Sequence, residues 1–250
     1  MKFLVIGDSC TDKFIYGKSE RICPEAPVPV FTPMGGTTNG GMAKNVQSNV
    51  IALGVECDIE TNKNDIEKKR YVDLASNQML LRVDVEDKAT DFFNRNKVEW
   101  GKYDAVLVSD YDKGFLSDRD INKICLEHDN VFLNTKRVMS YDIPRNIRFV
   151  QMNEHELNNN RCLGLNVQGK EDHYVKDKVI VTLGSKGCLY KNKIYRSPRK
   201  RDVRDLSGAG DTFLAAFSVS MMRDNNIEMA INFAQKCASI VVGKKGVATV

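Results

Sequence analysis

Residues Asp205-Leu206-Ser207-Gly208-Ala209-Gly210-Asp211 run straight into Thr212-Phe213-Leu214-Ala215-Ala216-Phe217, a stretch as apolar as a buried helix. Glycines let backbone N–H groups come close to a phosphate, and a helix start adds partial positive charge. Asp211 puts a carboxylate at the same spot. The chemistry that fits is phosphoryl transfer, with Asp211 taking the proton of an attacking hydroxyl. The same residues also suit a plain tight loop in which Asp211 only caps the helix.

Other polar clusters suit parts of the same reaction. Gly40-Gly41-Met42-Ala43-Lys44-Asn45 reads as the opening of the first long helix, where a polyol could lie against the backbone and Asn45 could donate and accept hydrogen bonds. Asp8 and Asp12 follow the first apolar run and are either sugar ligands or turn residues. Ser109-Asp110-Tyr111-Asp112-Lys113-Gly114 follows another apolar run, with Lys113 turned to an anionic group or to solvent. Asn153 and Glu156, three apart at a helix start, suit hydrated Mg²⁺, which keeps several of its own waters, or else a helix cap with an acidic first turn. Thr182-Leu183-Gly184-Ser185-Lys186-Gly187 is a glycine turn able to approach a nucleotide or simply to close a hairpin.

All these clusters need a common scaffold. Continuous apolar runs at Phe3 to Ile6, Ala105 to Val108, Val131 to Leu133, Arg148 to Val150 and Val179 to Thr182 read as buried parallel strands. Helical patterns at Ala43 to Leu53, Asp118 to Glu127, Thr212 to Met222 and Ile227 to Val242 alternate with them. That alternation predicts an α/β fold with a mainly parallel central sheet and ligands at the carboxyl ends of its strands. Residues 14–34 and 69–86 instead alternate polar and apolar side chains and read as antiparallel strands projecting from the sheet, as a lid, a subunit contact or an edge hairpin.

The chain of 250 residues is 42% hydrophobic and 28% charged with a net charge of +4, the balance of a folded globular protein. Basic residues are dispersed apart from Arg199-Lys200-Arg201 and Lys244-Lys245, and no aromatic-interleaved basic stripe calls for nucleic acid. Seven scattered cysteines without a C-x-x-C pair suggest reduced thiols in a cytoplasmic protein, and three histidines offer little for zinc. The apolar start at Met1 to Gly7 is too short for a signal peptide, and no run suits a membrane span.

The segment from Asp205 to Asp211 resembles the C-terminal signature of the ribokinase-like, or PfkB-type, carbohydrate kinases, and Gly40-Gly41 with Asn45 resembles their N-terminal glycine signature. Within that family the likeness is greatest to the domain that phosphorylates D-glycero-D-manno-heptose 7-phosphate in ADP-heptose biosynthesis. Arg21-Ile22-Cys23-Pro24-Glu25-Ala26-Pro27-Val28-Pro29-Val30 is similar to that domain's lid, which usually has Ser where Cys23 stands. Asn77 to Asp84, Ser109-Asp110-Tyr111 with Lys113-Gly114, Asn153 with Glu156, and Val242 to Gly246 extend the similarity over nearly the whole chain.

The resemblance implies a single ribokinase-like kinase domain over residues 1–250, a three-layer sandwich with lid segments at about 13–34 and 69–86 that pair in a homodimer. It implies ATP and Mg²⁺ as cofactors and the anomeric hydroxyl of a sugar phosphate as acceptor. Asp211 would then be the base, with the N–H groups of Gly208, Ala209 and Gly210 as the anion hole. Asp12, Gly40, Gly41, Asn45 and Asp110 would hold the sugar, Lys113 its distal phosphate, and Asn153 with Glu156 the metal through water. Thr182, Gly184, Gly187 and Gly246 would border the nucleotide. The chain departs from the family between Glu56 and Arg70, read as a short connection in place of a strand, helix and strand, and in a shorter span from Glu156 to Val179. It also has Asn134-Thr135-Lys136 for Asp-Pro-Lys, Gln235 for an Asn beside adenine, and no cytidylyltransferase-like stretch.

Overall fold

Every second residue of the central strands turns to the same face, and both faces are apolar. The computed structural model describes residues 1–138, 146–160, 177–198, 205–244 and 246–250. Cys162, His173, the basic run 199–201, Lys245 and most of the shortened span before Val179 lie outside the described residues. Six strands run parallel in the order β10 (Val179–Thr182), β9 (Ile147–Asn153), β8 (Val131–Thr135), β7 (Ala105–Asp110), β1 (Lys2–Gly7) and β4 (Glu56–Thr61). An antiparallel hairpin, β11 (Cys188–Tyr190) with β12 (Lys193–Tyr195), extends the sheet beyond β10.

Phe3, Val5, Ala105, Leu107 and Phe132 face a layer made of α1 (Ala43–Ala52), α4 (Ala209–Asp224) and α5 (Ile227–Val241). Leu4, Ile6, Val106, Val108, Val131 and Leu133 face the opposite layer, where α2 (Asp118–Glu127) and α3 (Glu154–Asn159) pack. Continuous apolar runs suit strands buried on both faces, and truncating one such side chain to Ala costs about 2–5 kcal/mol. The three layers are those expected. Local chemistry sets the helix starts: Ser117 with Asp120 and Asn153 with Glu156 form reciprocal capping boxes, and the Asn226 side chain caps α5.

A second sheet of four strands has the order β3 (Pro29–Met42), β2 (Ser9–Ile22), β5 (Ile66–Asp73), β6 (Met79–Val85). Its two hairpins are antiparallel, as expected of a lid, but the central pair β2–β5 runs parallel. The strands also run longer than the pattern suggested, β2 starting at Ser9 and β3 continuing to Met42. Gly40 and Gly41 therefore end β3 rather than opening the helix, and α1 begins only at Ala43. Residues 56–70 are not a mere connection either: they contain β4, the sheet edge paired with β1, and the first half of β5. The polar-rich sequence Glu56-Cys57-Asp58-Ile59-Glu60-Thr61 conceals that strand because an edge strand buries little of itself.

Candidate active site

α4 begins where Gly208 adopts φ +80°, a conformation that favours glycine, and no side chain caps this end. A Cβ on Gly208 would also lie 2.5 Å from Asn45 Nδ2. Asp211 sits in the first turn but caps nothing: its carboxylate points back to α1 and to the loop after β7. Asn45 Nδ2 donates to Asp211 Oδ2 at 3.0 Å, and the Tyr111 hydroxyl donates to Oδ1 at 2.8 Å. Asn45 is itself oriented by Asn49, whose Nδ2 donates to Asn45 Oδ1 at 3.1 Å. Asp211 is only 4% exposed. Burial pushes its carboxyl up to about 6, against the hydrogen bonds from Asn45 and Tyr111 and the charge of Lys136. A carboxylate so tuned is ionised at neutral pH yet basic enough to take a hydroxyl proton.

Asp12 stands beside this carboxylate, buried and ion-paired with Arg70 of β5. A Cβ on Gly41 would lie 2.0 Å from Asp12 Oδ2, so the glycine is what lets the strand end pass this close. Arg70 and Lys68 were not anticipated, although the strict alternation of burial along β5 is the period-2 signal that places them on its inward face. A cavity of about 430 Å³ opens under the lid, lined among others by Tyr16, Arg70, Asn77, Arg82, Ser207 and Gly246. Gly246, expected beside the nucleotide, thus lies on the lid side, against Phe14 and Asn39.

Three acidic or basic residues expected at the sugar have other partners. Asp110 has no exposed surface, and its carboxylate accepts from Thr135 Oγ1 at 2.6 Å and from Arg137 Nε at 3.1 Å. Lys113 is ion-paired with Asp87. Asp8 clasps the loop after β7, its Oδ2 accepting from the N–H groups of Tyr111 and Lys113 at 2.8 and 3.2 Å. It acts as the turn residue of the two readings offered for it, and this clasp is what presents Tyr111 to Asp211.

On the other side of the 205–211 segment lies a more apolar cavity of about 220 Å³. Thr182, Gly184, Gly187, Ala209, Gly210, Phe213 and Gln235 are on its wall. Gly187 is pressed against β12, where a Cβ would lie 2.0 Å from Tyr195 O. The turn after β10 therefore both closes a hairpin and lines a cavity. Gln151, also not anticipated, donates from Nε2 to Gly210 O at 3.1 Å and so holds the peptide next to Asp211. Gln235 is 5% exposed and neither its Oε1 nor its Nε2 has a partner among the described residues. A buried amide left open in an apolar wall is costly unless a ligand meets it. Leu206 lines both cavities, so the glycine segment is the partition between them.

Asn153 and Glu156 are first of all a helix cap. Glu156 Oε2 accepts from the Asn153 N–H at 2.8 Å, Oε1 from Asn153 Nδ2 at 2.7 Å, and Lys136 is ion-paired with the same carboxylate. No group of three or more His, Cys, Asp or Glu side chains is placed to hold a metal among the described residues. One carboxylate and one amide fit Mg²⁺ only as a hydrated ion touched through its waters, which is the manner expected.

Residues 117–250 match the family profile described as pfkB family carbohydrate kinase. The chain is 29% identical, over 297 aligned positions, to the bifunctional protein HldE of a Nitratiruptor species, covering 99% of this chain. It spans 63% of that relative's length. Among solved structures, the ribokinase of Thermotoga maritima superposes with a TM-score of 0.71 at 17% identity, over 98% of this chain and 94% of that one. The Arabidopsis thaliana ribokinase complexed with ribose and ATP does so with a TM-score of 0.68 at 20% identity, over 98% and 93%.

Proposed function

The chain belongs to the pfkB family of carbohydrate kinases, and from that footing we propose that it transfers the γ-phosphoryl group of ATP to the anomeric hydroxyl of a heptose 7-phosphate. The carrying observation is the partition: the segment leading into the uncapped start of α4 stands between the more apolar cavity and the one under the lid, with the buried Asp211 carboxylate in the first turn of that helix. A group bound on one side meets an acceptor on the other at the N-terminus of α4.

Asp211 is the base. Tyr111 and Asn45 hold its two oxygens, leaving the carboxylate aimed and ionised above about pH 6. The acceptor oxygen forms its bond to phosphorus as the bond to ADP breaks, and its proton passes to Asp211. The N–H groups of Gly208 and Gly210 would face the charge that builds on the transferring phosphoryl, joined by that of Ala209 once it leaves its 3.4 Å contact with Leu206 O, and Gln151 keeps the Gly210 peptide from turning. Mg²⁺, touched through water by Asn153 and Glu156, would neutralise charge on the nucleotide phosphates. Asp12, which is ion-paired with the cavity-lining Arg70, would bound the sugar side with Gly41 and Asn45, while Thr182, Gly184 and Gly187 would bound the nucleotide side.

The heptose assignment rests on the likeness to HldE and on the lid sequence from Arg21 to Val30. The lid also exposes Ile22, Val28, Met34, Met79 and Leu81, each at least half exposed, and we propose that a second copy of the chain covers them. A reducing cytoplasmic setting agrees with six described cysteines that are all free thiols. Among the described residues no helix is long and apolar enough to cross a membrane. The substrate is tested by measuring ADP release from Mg-ATP across a panel of heptose, hexose and pentose phosphates. Heptose 7-phosphate should have the highest kcat/KM, and clear preference for a hexose phosphate would overturn the assignment while keeping a kinase.

A further inference from the structure

Lys68 is the one cation of the inner lid face that no carboxylate of the described residues pairs with. It lies on β5, is 7% exposed, and no hydrogen bond or ion pair reaches it among the described residues. Its Nζ stands 5.4 Å from the centroid of the Tyr111 ring, whose hydroxyl is bonded to Asp211. That ring face is a weaker partner than a carboxylate, so the buried ammonium remains costly, and burial lowers its affinity for a proton here.

The surroundings deepen the charge. Arg70, two residues on along the same face, is directly opposite Arg82 of β6, and like charges in that position repel. Arg70 is matched by Asp12, and Arg82 by a two-point contact with Asp84 at 2.6 and 2.7 Å. Lys113, also close enough to depress Lys68, is matched by Asp87. The carboxylates are thus used up by the other three cations. Arg70 and Arg82 line the 430 Å³ cavity under the lid, and no lid residue lines the nucleotide cavity.

We propose that Lys68, with Arg70 and Arg82 beside it, receives the phosphate that the sugar carries at the end remote from the attacking hydroxyl, so that the lid itself selects a phosphorylated sugar. This rests on the kinase reading above and replaces Lys113 in the role expected of it. A phosphate dianion can accept from an ammonium and two guanidinium groups at once, which a neutral hydroxyl cannot. The sugar then lies with its phosphate at Lys68 and its reacting end at Asp211, with the Tyr111 ring between.

Calorimetric titration of the full chain without ATP tests the proposal, using heptose 7-phosphate, the same heptose without phosphate, and ADP. The wild type should bind the phosphorylated heptose at least about 10-fold more tightly than the plain one, the scale of a charge-assisted hydrogen bond. Lys68→Met should bring the two sugars within about threefold, leave ADP unchanged and melt no lower than the wild type. Lys68→Arg and Lys113→Met should keep the phosphate preference. The proposal is overturned if Lys68→Met retains the preference, if it weakens ADP as much as the sugar phosphate, or if it melts well below the wild type, since the ammonium would then already be paired. Absence of turnover with every sugar would sink the kinase reading alone. A phosphate preference abolished by Lys68→Met would still establish the anion site.

Discussion

The hydroxyl of Tyr111 donates to Asp211 Oδ1 at 2.8 Å, joining the loop after β7 to the first turn of α4 across 100 residues of sequence. The bond favours the charged carboxylate, and it opposes the burial that pushes Asp211 up to about 6. Tyr111→Phe should therefore raise the carboxyl further, by about 1–2 pH units if the bond is worth the usual amount for a charged acceptor. The acid limb of kcat/KM should move up by that much, with activity recovering toward the wild type at high pH. A uniform loss at all pH values, with the limb unmoved, would show that Tyr111 only fills space.

Asp211→Asn should separate stability from function. Between the ordinary value of 3.8 and the folded value of about 6, the native state holds a proton that the unfolded chain has released. Stability therefore falls as pH rises through that window, by up to about 3 kcal/mol, and stays lower above it. The asparagine variant has no such loss. It should melt higher than the wild type at pH 8, converge with it near pH 4, and lose roughly 10²–10⁴-fold in kcat. Thermal unfolding at the two pH values, beside the steady-state rate, checks both halves.

Gly41→Ala should damage the sugar side specifically. The added methyl would meet Asp12 Oδ2 and, at 2.7 Å, Cys10 Sγ, both of them buried. Overpacking of this kind costs about 1–3 kcal/mol. The melting temperature should fall and KM for the sugar should rise, while KM for ATP stays close to that of the wild type. An equal rise in both would mean that the strand end supports the whole site and not the sugar alone.

Gln235→Leu addresses the unpaired amide in the nucleotide cavity. If a nucleotide group meets that amide, the leucine variant should bind ADP up to about tenfold more weakly, the range of a neutral hydrogen bond. Without nucleotide it should be at least as stable as the wild type, because a buried polar group is gone. Unchanged ADP affinity would leave the orphaned amide without a role.

Much of this site was legible before the fold was known, and the reason is local. The glycines before Asp211 and the apolar run after it describe a helix start from neighbouring residues alone, as does the cap formed by Asn153 and Glu156. Buried parallel strands announce themselves by continuous apolar runs, so β1, β7 and β10 fall where the pattern put them. What depended on long-range pairing was hidden. Lys113 and Asp110 follow the right strand, but whether they face the crevice depends on Asp87, Thr135 and Arg137, which no spacing rule connects to them. β4 was missed because its period-2 pattern rests on only Cys57 and Ile59 among acidic residues, and Gly40 and Gly41 were assigned to the helix because a strand end and a helix start share the same glycine signal.

The central claim is that a phosphoryl group crosses the partition at α4 to an anomeric oxygen. Phosphorus NMR of the protein with Mg-ATP and heptose 7-phosphate tests it directly. A new resonance coupled to the anomeric proton should grow in step with ADP, while the original 7-phosphate resonance remains. ATP left unchanged with this and every other sugar phosphate, or a product phosphorylated at any position but the anomeric one, would contradict it.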